Sequence, residues 1–118
     1  MSLVRNKPIK VAAGNFHAPA VNVAAVVTLT AIAAKGHVLQ QIVYSYHGAA
    51  PTGGNLIVEN GVGTTVFNID ITDAGEAFLE LNPPIKGSKN TALVVTLAAA
   101  GASCTGKLNL GHYTDDLA

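Results

Sequence analysis

Residues 64–71 read TTVFNIDI, and their strict alternation decides the fold class. Phe67, Ile69 and Ile71 fall on one face of an extended chain. Polar residues such as Asn68 fall on the other face. A period of two residues is typical of a strand that has one buried face. The segment therefore predicts a half-buried β-strand.

The same pattern extends along the chain, because glycine and proline interrupt it about every ten residues. The pieces between them are rich in Val, Ile, Thr, Leu and Tyr, which fit a pleated surface. Strands are predicted at residues 9–11, 21–32, 37–47, 55–59, 64–71, 76–81, 91–98 and 104–113.

Three local features shape this interpretation. Segment 21–32 is rich in alanine, so a helix competes there, but its run of β-branched residues favours a strand. Asn60-Gly61 predicts a hairpin turn. Asn82-Pro83-Pro84 should end a strand, since proline has no N–H to donate, and residues 83–90 should then cross between two sheets.

About eight strands and no convincing helix predict an all-β fold: a two-sheet antiparallel β-sandwich, jelly-roll-like, with Greek-key connections. An immunoglobulin-type sandwich is the alternative, although the chain has no tryptophan and one cysteine. The length of 118 residues suits one domain. We expect an extended N-terminal arm at residues 1–20 and a single sandwich domain at residues 21–118.

Charge is scarce: 12% of the residues are charged, with seven cations and seven carboxylates, against about a quarter in an ordinary domain. Soluble monomers usually carry more charge and a net charge away from zero. We therefore expect much of the surface to be covered by other protein. A concentrated basic stripe is missing from the sequence, so we expect no nucleic-acid partner.

Membrane association is not expected either. The most apolar stretch, residues 21–34, is too short to span a bilayer and contains polar side chains. The first eight residues include basic side chains but no apolar run behind them, so we expect no signal peptide and synthesis in a cytoplasm.

The polar residues suggest no enzyme, cofactor or metal site. The histidines are His17, His37, His47 and His112. His37 and His47 lie ten residues apart on one predicted strand, about 33 Å, so they cannot share a metal within one subunit. Ordinary hydrogen bonding is the expected role of the four rings, and ligation of a metal between subunits is the alternative.

The carboxylates and the single thiol also suggest no catalytic or metal site. Asp70 and Glu80 could lie on neighbouring strands as an acid–base pair, but their alternation with apolar residues indicates a solvated face. The turn from Asp70 to Asp73 lacks the dense oxygen ligands of a calcium loop. Cys104 begins a strand, which favours a buried thiol over a nucleophile. The glycine-rich loops do not match a phosphate-binding pattern.

The tyrosines allow two interpretations, core packing or a platform for a sugar ring. Tyr44 and Tyr46 share a predicted strand face with Val38 and Ile42, which favours core packing. Together with Tyr113 they are the only tyrosines available for an aromatic platform that stacks on a sugar ring.

Several motifs, read in order, resemble those of small all-β proteins encoded among the structural genes of tailed bacteriophages. The pattern comprises a Tyr-x-Tyr strand at 44–46, a loop APTGG at 50–54, a strand LIV at 56–58, PPIKG at 83–87, and a closing stretch from TALVVTLAA at 91–99 through GKL at 106–108. The likeness covers roughly residues 20–113 and concerns pattern and composition.

The resemblance implies a non-enzymatic virion protein, assembled in the bacterial host cytoplasm. In role it is similar to a head decoration or cement protein, a homotrimer that contacts itself and the major capsid protein. A carbohydrate- or receptor-binding module of a fibre or tail is the alternative. The residues expected to make oligomer and lattice contacts are Leu3, Val4, Arg5, Pro8 and Ile9, with Phe16 and His17 as a second anchor. An arm of this kind can pair with a neighbour's sheet edge, although a frayed terminus is the simpler alternative.

Overall fold

The computed structural model describes residues 15–115, and all regular structure within them is β. Eight strands follow one another: β1 (Phe16–His17), β2 (Ala25–Leu29), β3 (Gly36–Gly48), β4 (Gly54–Asn60), β5 (Thr65–Ile71), β6 (Gly75–Lys86), β7 (Leu93–Leu97) and β8 (Cys104–Asp115). The all-β class and the number of strands are confirmed.

The strands form two antiparallel sheets of four strands each. Sheet A has the order β1-β8-β3-β6, and sheet B has the order β2-β7-β4-β5. Within them β1 pairs with β8, β2 with β7, β3 with β6 and β4 with β5. The first strand therefore pairs with the last, the second with the seventh, and so on inward, which is the strand order of a jelly roll. The predicted architecture is confirmed.

Alternation places one face of each sheet in a shared core. In β5 the inward residues are the predicted ones, with Ile71 buried, and in β2 and β7 the same alternation buries Val27 and Val95. The largest contributors to the core from the two sheets are Leu39, Ile42, Tyr46, Leu108, Leu56, Val58, Leu93 and Leu97. Burial of a side chain of this size stabilises a fold by about 1.5–3 kcal/mol, so this layer holds the sheets together.

A β-bulge in β3 changes which residues face the core. The register of β3 shifts between Leu39 and Gln41 against both β6 and β8. One extra residue reverses the alternation beyond it. The prediction that Val38 shares a face with Ile42 is therefore wrong, because the next residue, Leu39, is fully buried in the core together with Ile42.

Strand β6 extends further than predicted. Its pairing with β3 stops at Glu80, opposite Gln41, and resumes at Ile85, opposite Leu39. The prolines lie in the interruption, where no N–H is needed, but the strand itself continues to Lys86. The predicted crossover between sheets therefore starts only at Gly87, whose N–H donates to the His37 carbonyl oxygen at 2.7 Å.

The N-terminal boundaries also differ. Strand β2 covers only residues 25–29 of the predicted 21–32, and Asn22 adopts a positive φ of 59° ahead of it. Phe16 and His17, expected in the arm, belong to sheet A through their pairing with Asn109 and Leu108. The strand expected at residues 9–11 lies outside the described residues.

Candidate functional site

Two of the predicted contact residues fall within the described part of the chain. Leu3, Val4, Arg5, Pro8 and Ile9 lie outside residues 15–115. Phe16 and His17 form β1, the short edge strand of sheet A, and their surroundings differ sharply.

Phe16 is presented to solvent. Its residue surface is 58% exposed, and it is the cross-strand partner of Asn109 on β8. Since directly paired residues of a sheet lie on the same face, and Asn109 alternates with the core residues Leu108 and Leu110, Phe16 lies on the outer face of sheet A.

His17 is used inside the fold. Its Nδ1 accepts a hydrogen bond of 3.0 Å from the N–H of Val26 on β2. The ring therefore ties the first strand of sheet A to the edge of sheet B. This contact gives His17 a structural role in closing one side of the sandwich, apart from the outer face on which Phe16 lies.

A row of side chains crosses the outer face of sheet A from edge to edge. Asn109 pairs with Phe16 on one side and with Val43 on the other, and Val43 pairs in turn with Phe78 on β6. Phe78 is 61% exposed. We call Phe16, Asn109, Val43 and Phe78 the Phe band; it places two exposed phenylalanines on one face, about 14 Å apart by strand spacing.

Polar rows border the Phe band. On one side Ser45 pairs with Glu76 on β6 and with Lys107 on β8, and on the other Gln41 pairs with Glu80. An apolar centre with a polar and charged rim is the usual composition of a protein interface. Phe78 was not predicted as a contact residue, although the alternation of residues 76–81 already separates it from Leu79.

The three tyrosines do not form a shared platform. Tyr46 is only 1% exposed, and its hydroxyl donates to the Ala98 carbonyl oxygen at 2.6 Å. Burial raises the pKa of this phenol. Tyr44 packs against the core, as expected from its strand face, whereas Tyr113 is 37% exposed and pairs with Val38. The sugar-stacking alternative therefore loses Tyr46 as a contact residue.

Two histidines meet that the sequence places 75 residues apart. The rings of His37 and His112 stand edge to face, with centroids 6.3 Å apart. His37 is 4% exposed, and its Nε2 lies 2.7 Å from the Thr30 carbonyl oxygen, so this nitrogen is the donor. Burial, and secondarily the neighbouring His37, lower the pKa of His112.

This pair is a packing feature of β3 and β8. The Nδ1 atoms of both rings are buried without a hydrogen-bond partner among residues 15–115. In the same part of the chain, no three His, Cys, Asp or Glu side chains are grouped so that they could hold a metal ion. His47, at the other end of β3, is exposed.

Four of the carboxylates, at positions 70, 73, 76 and 80, lie on or between β5 and β6. Asp70 lies on β5 of sheet B and Glu80 on β6 of sheet A, so they are not on neighbouring strands of one sheet. Asp70, Asp73 and Glu76 line an open depression of about 260 Å³ together with Tyr44. Cys104 is buried, as expected.

Comparisons with protein-family models, with curated proteins and with solved structures found no match to this chain. The residues from 15 to 115 include no helix long and apolar enough to cross a membrane. The functional inference consequently depends on the geometry of the molecule, with the Phe band as its most distinctive surface.

Proposed function

We propose that this chain is a non-enzymatic structural protein of a bacteriophage particle, a homo-oligomeric head decoration protein of the virion. In this role it attaches to the shell of major capsid protein through the outer face of sheet A. Three copies per assembly is the arrangement that the resemblance of the sequence implies.

The observation that carries the proposal is the Phe band. Phe16 and Phe78 are each more than half exposed and lie on one row of one sheet. A phenylalanine has about 200 Å² of surface, so the two expose roughly 240 Å² together. Scattered apolar residues are normal on a surface, but aromatic residues are enriched in the buried core of protein interfaces.

Sheet B supports the same role through its lack of charge. Its four strands contain only two charged residues, Glu59 and Asp70. The row across its outer face reads Val26, Thr96, Ile57 and Asn68. Small uncharged side chains of this kind suit a surface that neighbouring protein covers, in contrast to the charged surface of a free monomer.

The fold is compatible with this role but does not select it. Jelly rolls occur in viral capsid proteins and in lectins, so the winding of the chain is an association only. The composition of the exposed face favours attachment to a protein shell over binding of a sugar. The exposed aromatic residues of the Phe band are phenylalanines, and the partner of Tyr113 on β3 is Val38, so Tyr113 has no second aromatic ring beside it in its cross-strand row.

Cosedimentation with bare phage heads tests the proposal. The heads come from the phage whose genome encodes the chain, prepared without this protein. Wild-type chain should pellet with the heads, and the Phe16→Thr/Phe78→Thr variant should stay in the supernatant while keeping its β-sheet circular dichroism. Failure of wild-type chain to bind, or a gene without virion structural genes beside it, would overturn the proposal.

A further inference from the structure

The two long sides of the sandwich are closed to different degrees. On one side β1 and β2 are in contact, and the His17–Val26 hydrogen bond joins them. On the other side the edge strands β5 and β6 are connected by the short loop 72–74, yet their backbones scarcely approach each other. One side of the core is therefore left partly open.

Inward-facing side chains on this open side remain incompletely covered. Phe67 and Ile69 of β5 pack against the core, as do Leu79 and Leu81 of β6, but all four are only partly buried. We call these four residues the seam. A strand edge beside a half-covered apolar groove is a template for an added strand.

The seam is flanked by negative charge. Between residues 60 and 85 the chain has four carboxylates, Asp70, Asp73, Glu76 and Glu80, and no lysine or arginine. These are four of the seven carboxylates in the whole sequence. The net charge of zero therefore conceals an acidic side of the molecule.

The complementary charge lies in residues 1–14. This segment has three cations, Arg5, Lys7 and Lys10, and no carboxylate. It also has apolar side chains, among them Leu3 and Ile9, that match an apolar groove. Opposite charges across an interface set its register and steer the encounter of the partners.

We propose that the seam binds residues 3–11 of a second copy of this chain. In the complex the apolar side chains of the arm, Leu3 and Ile9 among them, contact the seam, and its cations lie beside the flanking carboxylates.

The attachment point of the arm favours a second copy over the same chain. The described chain starts at Asn15, beside β1, and β1 is the edge of sheet A opposite β6. The arm would have to cross the whole sheet, about 14 Å by strand spacing, to reach its own seam. The seam of a neighbouring copy can be approached directly from the side.

This inference deepens the homo-oligomer of the proposed function and needs no capsid shell for its test. Variant A carries Arg5→Glu, Lys7→Glu and Lys10→Glu, and variant B carries Asp73→Lys, Glu76→Lys and Glu80→Lys. Each variant alone sets like charges against each other. Each should self-associate roughly tenfold or more weakly than wild type in sedimentation velocity. A chain that carries all six substitutions of A and B, with an acidic arm and a basic seam, should recover the wild-type mass.

A matched control distinguishes binding of the arm to the seam from nonspecific attraction between oppositely charged chains. Variant C reverses three cations outside the arm, through Lys86→Glu, Lys89→Glu and Lys107→Glu. A chain that combines the substitutions of B and C should not recover the wild-type mass, because its arm and its seam are both basic. Recovery in that chain equal to recovery in the chain that combines A and B would overturn the proposal.

Two further results would also overturn it: a wild-type chain that stays monomeric, or variants A and B that each assemble as wild type does. If the chain is a monomer that still binds phage heads through Phe78, the arm–seam proposal fails and the capsid role stands. If the chain forms an arm-dependent oligomer that does not bind phage heads, the capsid role fails and the arm–seam proposal stands.

Discussion

Replacing Phe78 by threonine separates binding from folding in one substitution. Phe78 is 61% exposed, so about 120 Å² of a side chain of roughly 200 Å² is in contact with solvent. At about 25 cal/mol per Å², complete coverage of this area contributes about 3 kcal/mol. Threonine keeps the strand preference and part of the contact, which leaves a loss of about 2 kcal/mol, or roughly 30-fold in Kd.

The assay is a binding isotherm with bare phage heads, read beside urea unfolding of the same samples. Shell affinity should fall roughly 30-fold, while the free energy of unfolding changes by less than about 1 kcal/mol, because the ring is already mostly in water. Val66→Thr is the control, since Val66 is 48% exposed but lies on β5 of the other sheet. Equal affinity of Phe78→Thr and wild type would refute the role of the Phe band.

Two other predictions concern the fold itself and its dependence on pH. Gly48→Ala should destabilise the protein by about 2 kcal/mol more than Gly63→Ala. Both glycines have positive φ, at 105° and 90°, but only a Cβ at residue 48 would meet backbone, 2.2 Å from the Ser103 carbonyl oxygen. Urea unfolding checks this, and equal losses for the two variants would contradict it. Because burial and His37 lower the pKa of His112 in the folded state, the unfolded chain takes up this proton first. Stability should be fully retained above a pH of about 6.5 and should fall as the pH drops below it. The dependence should flatten in His112→Gln, and a variant profile as steep as that of wild type would count against this origin.

Local pattern in the sequence predicted the fold well because a jelly roll is built from short half-buried strands. The alternation in residues 65–71 and 93–97 determines which side chains face the core, and the structure agrees at each position. Asn60-Gly61 marks the β4–β5 hairpin, where the Thr64 N–H donates to the Gly61 carbonyl oxygen. These features depend on neighbours within a few residues.

The alternation of apolar and polar residues could not predict features that arise from pairing between distant segments. The bulge beside Leu39 forms against His112 and Gly111 of β8, so it depends on a partner strand about seventy residues away in the chain. The two-residue strand β1 is too short to show a period. The Phe band needs the strand order β1-β8-β3-β6, because nothing in the sequence indicates that residues 16 and 78 share a row.

We propose that this chain works as one member of a larger assembly, in which other copies and a shell cover its charge-poor surfaces. Sedimentation equilibrium of the full chain at micromolar concentration is the measurement that decides this. The expected mass is a multiple of the 12.0 kDa chain, with three copies as the expected number. A single species of 12.0 kDa across the concentration range, with no binding to bare phage heads, would contradict it.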